Sequence, residues 1–157
     1  MLKIKELEKK ILLNLLENGQ RPILKIAQDL GVTRQTVAKK LDQMRSSGLI
    51  LSFFPKMDPE ILGLSIQAYI LMNEDPKNQC RKETEEIVKS YPQVTEFKRI
   101  FGKYDSIAKV LVNNNKELTD LVKKIHDLNG VKETETFIVH STIKDKPEDP
   151  IKNKLIE

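Results

Sequence analysis

The sequence predicts an α+β chain in two parts: a helical amino-terminal unit built on a glycine turn, then a β-α-β-β-α-β unit. Three observations carry this. Residues 23–42, ILKIAQDLGVTRQTVAKKLD, read as two short helices meeting at Gly31. Beyond residue 64 the apolar period shifts from helical spacing towards alternation, with two helical stretches set among four strand-like ones. The excess positive charge sits at one end. Residues 1–63 hold 11 Lys and Arg against 7 Asp and Glu, residues 64–143 hold 12 of each, and residues 144–157 hold 4 of each.

In chain order, a first helix is expected over Ile4–Glu17, with Ile4, Leu7, Ile11, Leu12, Leu15 and Leu16 as its core stripe and Asn18-Gly19 as its stop. Pro22 stands where a following helix tolerates proline. Ile23, Ile26, Ala27 and Leu30 then give the second helix one apolar face, and small Ala27 suits a steep crossing of two helices. Gly31 supplies the left-handed cap. Thr33 caps a third helix that points Val37, Leu41 and Met44 inward.

Arg34, Gln35, Ala38, Lys39, Lys40 and Arg45 are left facing outward. Such a cationic, hydrogen-bonding face suits the DNA major groove, so Thr33, Arg34, Gln35, Thr36, Lys39, Lys40 and Arg45 are the candidate DNA-binding residues. Gln35 fits adenine, Arg34 fits guanine or phosphate, and Lys39, Lys40 and Arg45 fit phosphates. A solvated helical hairpin would explain the charge alone, but not the joint occurrence of Ala27, Gly31, Val32, Val37 and the polar run Thr33–Thr36. The partner implied is double-stranded DNA. In a dimer, two such helices would ask for a pseudo-palindromic operator with half-sites about one helical turn apart. Ser46-Ser47-Gly48 ends the helix, and the β-prone LILSFFP (49–55) is expected to form a short wing-like strand. A winged-type helix-turn-helix domain is thus expected over 1–58, with a hinge at 59–64 around Pro59 and Gly63.

In the second part, strands are expected over 65–72, 94–101, 106–112 and 132–141. Helices are expected over 78–91 and along Leu118, Leu121, Val122, Ile125 and Leu128, the latter stopped by Asn129-Gly130. This is the ferredoxin-like order, spanning 65–143. Two helices cover only one face of such a sheet, yet Ile107 and Leu111 oppose Ala108, Val110 and Val112. A second copy of the chain is the economical cover, so at least a homodimer is expected. Residues 144–157, with two prolines and dense charge, are expected to be a charged tail or an arm on a partner subunit.

Composition narrows the function classes. The chain is 39% hydrophobic and 32% charged, and no apolar run approaches the ~20 residues of a membrane span. No membrane partner is expected. The start, MLKIKELEKK, is too charged for a secretory signal, and Cys80 is alone, which fits a reducing cytoplasm. His126 and His140 have no neighbours at metal-ligand spacing, Glu83, Glu85 and Glu86 suit a solvated helix face, and no phosphate loop or nucleophile motif occurs. Neither a metal, a cofactor nor an enzymatic activity is expected.

A basic helix-turn-helix joined to a βαββαβ unit of this length resembles the leucine-responsive regulator/AsnC (Lrp/AsnC) family, the feast/famine regulators, whose second domain is RAM/ACT-like. The matching residues in the first half are Ile4–Leu12, Asn18–Arg21, Ile26–Thr33 and Leu49-Ile50. In the second half they are Gly102-Lys103-Tyr104-Asp105 and Gly130–Thr136. The resemblance runs over about residues 3–145. It implies a transcription regulator, dimeric and often octameric, that binds DNA through its first helices and an amino acid or related metabolite through its sheet domain. Carried over by position, it nominates Gly102, Tyr104, Asp105, Thr134 and Thr136 as effector-binding residues. A glycine turn offers N–H groups to a carboxylate, and an aspartate can accept from an ammonium. The same Gly102 and Asp105 equally suit a bare hairpin turn. Lys5 replaces the family's usual acidic residue, and Pro22 its polar cap. Two other readings share this scaffold: a DNA-compacting architectural protein, and a siroheme-decarboxylase-like enzyme.

Overall fold

The computed structural model describes residues 4–157, apart from the side chain of Asn78; Met1–Lys3, counted in the first domain above, lie outside the described residues. The chain divides into two compact units, one holding the residues up to Lys56 together with Lys144–Glu157, the other Met57–Ile143.

In the helical unit, α1 spans Glu6–Glu17, α2 Ile23–Asp29 and α3 Arg34–Ser46. Ile11, Ile26, Ala27, Val37, Leu41 and Met44 form its buried core, with Leu7, Leu12, Leu15, Ile23 and Leu30 packed against it. These are the stripes that helical spacing selects. Gly31 has φ +64°, the left-handed conformation that lets α2 stop and α3 start within a few residues. Thr33 caps α3, its Oγ1 accepting from the Thr36 N–H at 3.1 Å.

Two expectations fail here. Residues 49–55 form no strand, because the unit supplies no second strand to pair with them, and Leu51 and Phe54 stay 90% and 81% exposed. The charged tail also contains a helix, α6 (Asp149–Ile156), which buries Leu155 and packs on α1. Pro150 does not prevent it, since a proline in the first turn forfeits no intrahelical bond.

In the sheet unit, a 3-10 turn at Glu60–Leu62 leads into β1 (Ile66–Glu74), α4 (Asn78–Ser90), β2 (Val94–Arg99), β3 (Ser106–Val112), α5 (Asn115–His126) and β4 (Val131–Ile138). The four strands pair antiparallel in the order β2-β3-β1-β4. Ala68, Ile70, Met72, Ala108, Val110 and Val112 pack under Val88 of α4 and Leu118, Leu121 and Ile125 of α5. Alternate residues face the other way: Tyr69, Leu71, Ile107 and Leu111 are half-buried, and Phe137 is half-exposed. Gly130 lets the turn before β4 pass close to α4, where a Cβ would collide with the Thr84 hydroxyl and lie 2.9 Å from the Cys80 carbonyl oxygen. Among the described residues no helix is long and apolar enough to cross a membrane.

Candidate functional site

On α3, Arg34, Gln35 and Lys39 are exposed, and among the described residues neither cation has an ion-pair partner. Gln35 and Lys39, four residues apart, lie opposite the buried Val37, Leu41 and Met44, while Arg34 is presented by the first turn of the helix, so packing of the helix fixes which groups it presents. Thr33 and Thr36 sit at the helix start with their hydroxyls 2.9 Å apart. Their oxygens serve the cap first, which leaves the helix N-terminus in a defined conformation.

The other two expected cations are engaged within the unit. Lys40 is half-buried, and its Nζ donates to Glu8 Oε1 of α1 at 2.9 Å. It was expected to face phosphate. Instead the α1–α3 crossing brings it against a carboxylate that also accepts from the Lys5 N–H at 2.9 Å. Those two donors hold the Glu8 carboxyl below the usual range, the Lys5 N–H contributing most. Arg45 lies 5.2 Å from the ring centroid of Phe53 and 3.6 Å from Asp42, so its guanidinium is oriented by the irregular 49–55 segment. Spacing alone gives no sign of either arrangement, because both depend on how distant segments cross.

The effector candidates do not form one cluster. Gly102 takes φ +145° in the β2–β3 turn, a conformation that favours glycine. Next to it Tyr104 is buried, and its hydroxyl donates to Glu135. Glu135 pairs with Leu71 and so lies on the open face of the sheet. Thr134 and Thr136 pair with Met72 and Ile70 and therefore lie on the helix-covered face, Thr134 Oγ1 being 3.2 Å from His126 Nδ1. The strand's period of two separates residues that the sequence pattern groups.

Asp105 is committed to the fold: its carboxylate accepts from the Glu74 N–H at 2.9 Å and from Arg81 Nη2 at 3.1 Å, and its N–H donates to the Met72 carbonyl at 2.9 Å. A polar network the sequence does not reveal lies beside it. The wholly buried carboxylate of Glu74 accepts from Arg99 and, at 3.0 Å, from Ser106 Oγ. Arg99 also donates to Glu85 at 2.8 Å, so Glu85 is a partner rather than a purely solvated charge. Burial pushes the Arg99 guanidinium down from its ordinary value. Gly102, Tyr104 and Asp105 thus sit on a loop whose base is fixed by charge-assisted bonds.

Two clefts flank the helices of this unit. One of about 400 Å³ lies between α4 and β2 and is lined by Glu85, Lys89, Glu96 and Arg99 among others. Another of about 340 Å³ runs from Tyr91 and Gln93 to Glu117 and Lys124 of α5. Neither is lined by any of the five effector candidates.

Comparison with known proteins agrees with this layout. Residues 4–50 match the winged helix-turn-helix DNA-binding family, the match ending where the irregular segment begins. Residues 67–149 match the Lrp/AsnC ligand binding domain. Among curated relatives, the HTH-type transcriptional regulator FL11 of Pyrococcus horikoshii is 33% identical over 94% of this chain and 96% of its own. Its Pyrococcus furiosus counterpart is 31% identical over the same shares. The fold is shared with Escherichia coli AsnC (TM-score 0.82, 24% identity, 93% of this chain and 100% of that one). It is shared too with a Neisseria meningitidis transcriptional regulator solved as its L-Met complex (TM-score 0.87, 19% identity, 95% and 99%). With both of its units matched and 33% identity to a relative over nearly the whole of both chains, this chain belongs to the Lrp/AsnC family of helix-turn-helix transcriptional regulators.

Proposed function

We propose that this regulator reads operator DNA in a sequence-dependent way through Arg34 and Gln35, with Lys39 on the phosphates, and that its sheet unit responds to a small metabolite of the amino-acid class. The observation that carries the first half is the exposed, unpaired cation-and-amide face of a capped α3. Arg45, held over Phe53, supplies a phosphate contact at the other end of the helix. A homodimer formed over the open sheet face would cover Tyr69, Leu71, Ile107, Leu111 and Phe137, and would present two copies of α3 to a pseudo-palindromic site. Assembly towards an octamer would use further surface, for which the fully exposed Phe101 beside Gly102 is suited.

For the effector, support comes from the ligand-binding family match and from the L-Met bound by the Neisseria regulator. Gly102 and Tyr104 would meet it, with Asp105 holding their loop in shape. Thr134 and Thr136, half-buried on the helix-covered face, would take part from the sheet edge that β4 forms. The regulator acts in the cytoplasm, where its DNA lies and where Cys80 stays reduced. It needs no catalytic centre: His126 stands beside Thr134 near the start of β4, whereas His140 is exposed beyond that strand's end, so the two do not converge as a tetrapyrrole site would ask.

Fluorescence anisotropy on a duplex that the protein selects from a random pool, set against scrambled DNA, tests the reading. Arg34→Ala should cost about 1–3 kcal/mol on the selected duplex and relax sequence choice. An equal loss on both duplexes would remove the base-reading role. A pool of amino acids should shift the selected-duplex curve; no shift with any pool member would remove the effector class.

A further inference from the structure

Lys40 lies on the helix that carries the DNA-facing residues, and sequence reasoning counts it among the phosphate contacts. Its environment argues otherwise. The side chains of Lys40 and Glu8 are only 23% and 16% exposed, and their charged atoms meet at 2.9 Å across 32 residues of sequence. Glu8 spends its second oxygen on the Lys5 N–H, the first residue before α1. One carboxylate therefore joins the start of α1 to the middle of α3. A lysine whose charge is already matched, and whose ammonium is turned towards α1, has little left to offer a phosphate.

We infer that Lys40 and Glu8 form a positioning clamp that sets the angle at which α3 presents Arg34, Gln35 and Lys39, and that Lys40 makes no phosphate contact. Lys39, one residue away, is exposed and takes the phosphate role that Lys40 gives up, alongside Arg45 at the other end of the helix. The inference rests on α3 being the recognition helix. It differs from ordinary stabilisation in what it controls: base reading depends on the helix angle, whereas attraction to phosphate tolerates small changes of angle.

The test uses the full chain, a duplex selected by the protein from a random pool, and a scrambled duplex of equal length. Lys40→Met and Glu8→Gln should each lower the ratio of selected to scrambled affinity by about tenfold. Neither should change the dependence of binding on salt, whereas Lys39→Ala should lower its logarithmic slope by about 0.9 per subunit bound. The double variant Glu8→Lys with Lys40→Glu should recover most of the ratio, which also guards against a single variant that folds poorly. A Lys40→Met protein that loses affinity equally on both duplexes, with the slope reduced, would overturn the clamp and restore the phosphate contact. So would a melting temperature that falls while the ratio holds. A ratio of one in the unaltered protein would remove the recognition-helix reading and the clamp with it; a ratio above one that no clamp variant moves would overturn the clamp alone.

Discussion

In the helical unit every ion pair among the described residues keeps part of its surface in water, as between Arg21 and Asp29 or Lys40 and Glu8, whereas in the sheet unit the Glu74 carboxylate is wholly buried against Arg99 and Ser106. The helical unit uses charge to orient elements that its apolar stripes have already joined. The sheet unit uses charge inside its frame, at the place where β1, β2, β3 and α4 meet. The first arrangement tolerates loss of a partner, because water can replace it. The second does not, because an abandoned carboxylate there has no solvent to turn to.

The contrast breaks most sharply at Arg99. Arg99→Met should destabilise the sheet unit by about 3 kcal/mol, the lower end for a buried pair because the guanidinium keeps 34% of its surface. Urea unfolding followed by circular dichroism would read this, and a loss no larger than that of Arg21→Met would dissolve the distinction. Gly130→Ala comes next, at about 2 kcal/mol, since the added methyl must displace backbone at Cys80 as well as the Thr84 hydroxyl. A melting temperature unchanged in this variant would mean that the turn can shift away from α4 freely. Thr33→Ala should cost about 1 kcal/mol and act on the helical unit alone, by removing the cap of α3. Hydrogen exchange resolved along the chain checks that restriction: protection should fall across α3 and hold across β1.

Acid gives the smallest effect and reaches both units. Glu8 is held below the usual carboxylate range by the Lys5 N–H and Lys40, and Glu117 chiefly by the Asn113 N–H and then by Gln93. A carboxyl whose folded value is depressed adds stability above its unfolded value and loses it as pH falls through the folded one. The urea midpoint should therefore be flat from pH 7 to 5 and fall below about pH 4. Glu8→Gln should flatten part of that fall; a midpoint that rises on acidification would contradict the sign.

How much of this was legible in the sequence follows the same divide. Ile11, Ile26, Val37, Leu41 and Met44 are neighbours through helical spacing, so the core of the helical unit could be read residue by residue. Strand alternation likewise separated Ala108 and Val110 from Ile107 and Leu111. What depended on a partner elsewhere was not legible. LILSFFP has the composition of a strand and lacks a second strand to pair with. Lys40 looked like Lys39 until the crossing of α1 and α3 placed Glu8 beside it. Thr134, Glu135 and Thr136 formed one motif in the sequence and occupy two faces in the fold. The two prolines and dense charge of 144–157 suggested a tail, yet Pro150 falls in the one turn of a helix that accepts proline.

The packing of α6 on α1 bears on how the molecule is made. Ile11 leaves the ribosome early, but Leu155, which is buried in the same unit, follows only after the whole sheet unit has been translated. At about 5–20 residues per second, α1 waits about 7 to 28 seconds for that cover. A nascent chain can thus begin to collapse its helices at once, but the unit that meets DNA is finished last, after the unit that receives the signal.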